Sequence, residues 1–289
     1  MNFDALTRYL DTLPERGVPG CDLTVWLEHR PIYRHMSGES RPGRPMRGDE
    51  TYWLYSATKV FTMTAAMQLI ERGKMALSDP VSRYLPAYGS LTVDDGGVLR
   101  PARTVMTLEH LMSMQGGLDY DLDAPAIRAC LKRYGQPTTR QMVDAFAEKP
   151  LLFDPGTRFR YSLCHDVMAA VIEVVSGMSF GAYVRENIFD PLGIQNLTFA
   201  PTLEQSRRLA AAYRWDEEER PLPTGSQENP YVLSARYESG GAGLMGDVDS
   251  YILLSDALAN DGVGRTGARI LTRASIDEMR RDRLKGDSR

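Results

Sequence analysis

The chain has 289 residues, 43% of them hydrophobic and 25% charged, which is enough for a sizeable core in one large domain or two small ones. A net charge of -4 gives no general attraction to nucleic acid or acidic membranes. The three cysteines, Cys21, Cys130 and Cys164, form neither a metal-ligand pattern nor a disulfide framework, and they fit a reducing compartment.

The first residues, MNFDALTRYLDTLPERG, carry an acidic side chain at Asp4 and no long apolar run. The spacing of Phe3, Leu6, Tyr9, Leu10 and Leu13 predicts an amphipathic helix rather than a secretory signal. No stretch approaches the roughly 20 apolar residues of a membrane span, so a soluble, cytoplasmic protein is expected. CDLTVWLEHRPIYRHMSGES is rich in β-branched and aromatic residues and predicts a hairpin with strands near 22–28 and 31–38. RPGRPMRGDE then reads as a loop. WLYSATKVFTM leads into a helix with apolar positions Val60, Met63, Met67 and Ile70 and a stop at Gly73.

From about 78 to 190 the pattern is mostly helical. LSDPVSRYLPAY is a short helix between two prolines, and TLEHLMSM starts on a Thr cap and ends at Gly116 and Gly117. APAIRACLKRYG, TTRQMVDAFAEKP, CHDVMAAVIEVVSG and SFGAYVRENIF continue the run, the third of them apolar enough to be buried. NLTFA and AAYRW are strand-like, DEEER is an acidic loop, and GGAGLMG predicts a strand with close backbone approach. DVDSYILLSDALAND and TRASIDEMRRDRL are the last two helices. The expected fold class is α/β (α+β): an antiparallel sheet flanked by helices with an inserted helical subdomain. The sheet layer takes about 1–77 and 191–289, the helical part about 78–190, and a site is expected between them.

Ser56 stands three residues before Lys59, and residues so spaced share a helix face. A serine at a helix N-terminus has the macrodipole and an unpaired backbone N–H to favour a developing oxyanion. Trp53, Tyr55 and Phe61 could bury the lysine, and burial favours a neutral amine. On four residues alone, a capping serine followed by a solvated lysine is the better reading, because so short a pattern is weak evidence. GMSFG, Gly177 to Gly181, matches the nucleophile elbow G-x-S-x-G, but that motif needs a strand before its serine. Here a helix precedes it, and Ser179 reads as the cap of the next one. His29, His35, His110 and His165 stand in no context that suggests a base. No metal spacing and no phosphate loop is present, so neither metal nor cofactor is expected.

The surroundings of Ser56 weigh more than the tetrapeptide. YSATKVFTMTAAMQLIERGKMALSDPVSRYLPAY resembles the active-site region of serine hydrolases related to class C β-lactamases, a group that includes penicillin-binding DD-peptidases and β-lactamase-fold esterases. VMTLEHLMSMQGGL, FDPGTRFRYSLCHDVMAAVIEVVSGMSFGAYVRENIFDPLGI, SGGAGLMGDVDSYILLSDALANDG and ILTRASIDEM resemble later landmarks, so the likeness runs from about 20 to 280. It implies that Ser56 attacks a carbonyl, that Lys59 assists removal of the serine proton, and that Tyr161 takes or relays that proton. Which of Lys59 and Tyr161 is the base stays open.

Three departures bear on the substrate. Leu163 stands where lactamases and DD-peptidases usually have an Asn that can bond a substrate amide, which favours the family VIII carboxylesterase branch. MSMQGGL replaces a Thr-Ser-Gly type segment, and Gln115 either lines the pocket or closes the helix end. The third motif of the family, on a late strand that completes the oxyanion hole, has no counterpart, and LKGDSR is too polar and short to supply one. A truncated sequence is the expectation there; a lost donor alone would cost about 100- to 1000-fold in rate. The reading is a serine hydrolase acting on a small ester or acyl compound, esterase or acyltransferase first and β-lactamase or D-amino-acid peptidase second. A non-catalytic relative that binds an acyl ligand or a partner is the alternative from another class.

Overall fold

A computed structural model describes residues 1–225 and 228–284. The chain divides into two units, Met1–Leu54 with Phe189–Asn229 and Leu244–Ile270, and Tyr55–Ile188 with Pro230–Gly243 and Leu271–Arg289.

The first unit is built on the expected hairpin. Gly20–Leu27 pairs antiparallel with Arg30–Arg41, in a register from Gly20 opposite Gly38 to Leu27 opposite Arg30. Glu28 and His29 both have positive φ, 47° and 65°, the backbone that a tight hairpin needs to match the strand twist. The second strand outruns its expected end and pairs with Arg44–Pro45, so part of the Pro/Gly/Arg stretch read as loop is sheet. The Asp4–Asp11 helix lies against this strand. Phe3 stacks on Tyr33 at 4.6 Å, and Ser37 Oγ donates to the Leu10 carbonyl at 2.8 Å. The Val248–Ala259 helix, capped by Asp247, buries Leu253, Leu254 and Ala257 and packs on the first strand. Of the GGAGLMG stretch only Met245–Gly246 is strand, paired with Tyr52–Trp53. Close backbone approach is present there, since a Cβ on Gly246 would sit 2.5 Å from the Asn196 carbonyl.

The second unit is organised around the Cys164–Ser176 helix, whose residues Val167 to Ile172 are fully buried. The helices Thr58–Glu71, Leu108–Met112, Thr139–Phe146 and Phe180–Val184 all pack on it. This packing places Thr58–Glu71 in the helical unit, whereas the sequence reading had put it with the sheet. It also corrects the amphipathic reading of that helix. Thr62, Thr64 and Gln68 are buried along with the apolar side chains, and each has a backbone acceptor, Gly240, Val60 and Asn187 respectively. Buried polar groups of this kind are tolerable because their hydrogen bonds are made.

Two local readings are settled here. Gly177 (φ 74°) ends the Cys164–Ser176 helix, and Ser179 Oγ accepts from Ala182 N–H at 3.2 Å, capping the next helix. GMSFG is therefore a helix-to-helix junction. Thr107 caps Leu108–Met112, with His110 in the place of the usual Glu, its Nδ1 accepting from Thr107 N–H at 3.2 Å. The stretch expected to be helical contains a hairpin, Thr92–Asp95 with Val98–Pro101, turned by Gly96 and Gly97 between flanking Val residues. Among the described residues no single helix is long and apolar enough to cross a membrane.

Candidate active site

Ser56 lies in the short 3-10 turn Tyr55–Ala57 that runs into the Thr58–Glu71 helix. The preceding Tyr55 has φ 44°, a left-handed conformation uncommon for a side-chain-bearing residue. Such strain gathers at places where the surroundings hold a backbone for a purpose. The helix begins on Ala57 with no side-chain cap, so Ser56 does not spend its hydroxyl there. Instead its Oγ accepts from Tyr161 Oη at 2.6 Å and from Lys59 Nζ at 3.3 Å. Neither half of the cap-and-solvated-lysine reading matches, because Lys59 is only 7% exposed.

Lys59 is held from several directions. Its Nζ donates to the Gly241 carbonyl at 2.6 Å. It also lies over two aromatic faces, 4.7 Å from the Tyr161 ring centroid and 5.6 Å from that of Tyr120. Tyr161 and Tyr120 stack with centroids 5.8 Å apart and planes 8° off parallel. Tyr231 meets Tyr120 edge-on at 5.6 Å and Tyr55 edge-on at 5.7 Å. Four tyrosines thus wall the serine and lysine. Tyr161 is 45% exposed, so the hydroxyl pair faces solvent while the lysine does not. Burial holds the Tyr120 phenol well above its ordinary value, which keeps Tyr120 a neutral wall.

The backbone before Tyr161 is fixed by Arg160 N–H, which donates to the Met114 carbonyl at 2.9 Å. Ser162 behind it is fully buried and donates to Cys164 Sγ at 3.1 Å. Tyr161 therefore reaches Ser56 from a rigid stalk. A hydroxyl flanked by a phenol and an amine can lose its proton to whichever of the two is deprotonated and become a nucleophile.

The other two residues singled out from sequence lie elsewhere in the unit. Leu163 is 5% exposed and lines a small cleft with Leu118, Ile127 and Phe146 and with the charged Asp119, Asp121 and Lys149. Gln115 is buried, its Nε2 donating to Ser113 Oγ at 2.7 Å. Neither makes a hydrogen bond to Ser56, Lys59 or Tyr161. The third-motif expectation rested on LKGDSR, of which residues 285–289 lie outside the described residues.

Tyr120, Tyr231 and the Gly241 carbonyl were not foreseen, since each reaches the site through contacts distant in sequence. His165, dismissed as a base, is buried, with Nε2 3.4 Å from the Met112 carbonyl. Burial first, and then the neighbouring Lys59 charge, push its imidazole down to about 3. Between pH 6.5 and 3 the unfolded chain therefore binds a proton that the native state does not, and stability falls as pH drops through that window. His165→Gln should flatten this decline by up to about 1.4 kcal/mol per pH unit, read from urea unfolding at pH 6.5 and 4.5. Parallel slopes in the two proteins would show that His165 is not the group responsible.

Residues 4–288 match the Beta-lactamase family. The chain belongs to that family. Within it, Esterase EstB of Burkholderia gladioli is 30% identical over 296 residues, covering 93% of this chain and 71% of EstB. Monacolin J acid methylbutanoyltransferase of Aspergillus terreus is 31% identical over 231 residues, 76% of this chain and 55% of that one. Among solved structures, EstCE1, a hydrolase with promiscuous acyltransferase activity, superposes with a TM-score of 0.76 at 29% identity, covering 98% of this chain and 77% of its own. The mixed helix and antiparallel-sheet architecture is that of the β-lactamase/transpeptidase-like fold.

Proposed function

We propose that this β-lactamase-family protein is a serine hydrolase that forms an acyl-enzyme on Ser56 and acts on small carboxylic esters. The observation that carries the reading is the Ser56 Oγ placed 2.6 Å from a phenol and 3.3 Å from a buried amine. In the first half-reaction, Ser56 Oγ bonds to the ester carbonyl carbon while its proton passes to whichever of Tyr161 Oη and Lys59 Nζ is unprotonated. The tetrahedral intermediate collapses, the C–O bond to the alcohol breaks, and that proton leaves with the alkoxide. In the second, water or another alcohol adds to the acyl carbonyl, its proton returns through the same pair to Ser56 Oγ, and the acid or new ester departs.

The buried Leu163 offers no side-chain group that could pair with a substrate amide, so position 163 gives amides no advantage over esters. Leu163 would act only through its buried packing, and Gln115 through the Ser113 link that steadies the neighbouring turn. The names of the esterase and acyltransferase relatives support the same substrate class. A p-nitrophenyl ester series run beside a chromogenic cephalosporin tests it. Turnover of short-chain esters at least tenfold faster than the lactam is expected; the reverse order would turn the assignment to a β-lactamase.

Tyr161→Phe keeps the ring that stacks on Tyr120 and removes the hydroxyl. It should lower kcat by about 10²- to 10⁴-fold with KM little changed, the range for loss of a positioned proton-transfer group. A variant with unchanged kcat would leave Lys59 to act alone.

A further inference from the structure

The glycine turn beside Lys59 is held at both ends by named groups. Gly241 is flanked by two peptide planes. In the first, the Gly240 carbonyl accepts from Thr62 Oγ1 at 2.6 Å, and the Gly241 N–H donates to Asp166 Oδ1 at 3.2 Å. In the second, the Gly241 carbonyl accepts from Lys59 Nζ at 2.6 Å, and the Ala242 N–H donates to Ser239 Oγ at 3.0 Å. Ser239 Oγ in turn donates to Asp166 Oδ1 at 2.6 Å, and Tyr237 Oη donates to the same oxygen at 2.7 Å. A continuous chain of hydrogen bonds therefore runs from the Lys59 amine through one peptide group and one hydroxyl to a carboxylate that is 1% exposed. Bonds in such a chain polarise one another, so a buried carboxylate at its far end strengthens the carbonyl that holds the lysine.

The turn is also sterically closed. A Cβ on Gly240 would lie 2.6 Å from the His165 carbonyl and 2.7 Å from Ala169 Cβ, and one on Gly241 would fall on Asp166 Oδ2. Only a backbone without side chains fits between the Thr58–Glu71 and Cys164–Ser176 helices at this point.

We infer that Asp166 is a positioning residue for Lys59: through Ser239 and the Gly240–Gly241 turn it fixes the carbonyl that holds the lysine amine against Ser56. The inference rests on the proposed role of Ser56 and Lys59. Asp166 touches neither the serine nor the substrate carbonyl.

The test uses Asp166→Asn, Asp166→Ala and Ser239→Ala, with Ser56→Ala as reference, assayed for ester hydrolysis across pH. Asp166→Asn keeps an acceptor at Oδ1 and should stay within about tenfold of the wild-type kcat. Asp166→Ala should lose at least 100-fold in kcat with KM nearly unchanged, and the pH at which activity rises should move, because the lysine is no longer held. Should Asp166→Ala fail to fold, Ser239→Ala, which cuts the chain at one link, should still lower kcat about tenfold and move the profile in the same sense. Wild-type kcat and an unmoved pH profile in folded Asp166→Ala or in Ser239→Ala would overturn the inference. An active Ser56→Ala would instead overturn the serine hydrolase reading, so the two failures are told apart.

Discussion

Ser56→Ala should reduce ester hydrolysis by on the order of 10⁴- to 10⁶-fold, the range seen when a nucleophilic serine is removed from a hydroxyl–base unit. The expected effect is this large because Tyr161 and Lys59 both converge on Oγ. The same change should leave the fold alone. Ser56 is exposed, caps no helix, and is replaced by a better helix former, so stability should move by less than about 0.5 kcal/mol. Steady-state kinetics with a p-nitrophenyl ester, paired with a thermal melt, checks both halves. Residual activity within tenfold of wild type, in a folded protein, would remove Ser56 from the chemistry.

Lys59→Met should separate activity from stability even more sharply. The amine is buried, bonded to the Gly241 carbonyl and flanked by two tyrosine rings. Removing it abolishes the proton acceptor or the cation beside Oγ, whichever form is active, and kcat should fall by on the order of 10³- to 10⁵-fold. Stability is governed by two opposed effects. The variant no longer desolvates an amine, which is favourable, and it leaves the Gly241 carbonyl without that donor, which is not. The two offset, and the net change should stay within about 2 kcal/mol, read from urea unfolding. Lys59→Arg should not restore activity, because a planar guanidinium cannot occupy a point-charge site or give up its proton. A Lys59→Met variant with near wild-type kcat would assign the lysine to packing.

The sequence made the local elements legible where pattern and punctuation agreed. The Thr107 and Ser179 caps, the Gly177 stop and the buried Cys164–Ser176 helix all followed from nearest-neighbour chemistry. The Ser56–Lys59 pair was visible as a spacing, but whether the lysine is buried was not. Burial of Lys59 comes from rings at 120 and 161 and from a carbonyl at 241, and no local window contains them. Tyr161 entered only through family resemblance, since its 2.6 Å bond to Ser56 spans more than a hundred residues of chain. Asp166 was hidden for the opposite reason. It sits in an apolar helix, where an acidic residue looks like an exposed face, and its three donors are contributed from beyond residue 236. The hairpin Thr92–Asp95 with Val98–Pro101 sits within a mostly helical stretch, although its Gly96–Gly97 turn and flanking valines are a local strand signal.

The central claim is that Ser56 carries the acyl group. Intact-mass spectrometry after exposure to a fluorophosphonate, on the wild type and on Ser56→Ala, tests it most directly. A single adduct on the wild type, mapped to the peptide containing Ser56 and absent from the variant, is the predicted result. An adduct that persists in Ser56→Ala, or none on the wild type while it still hydrolyses esters, would contradict it.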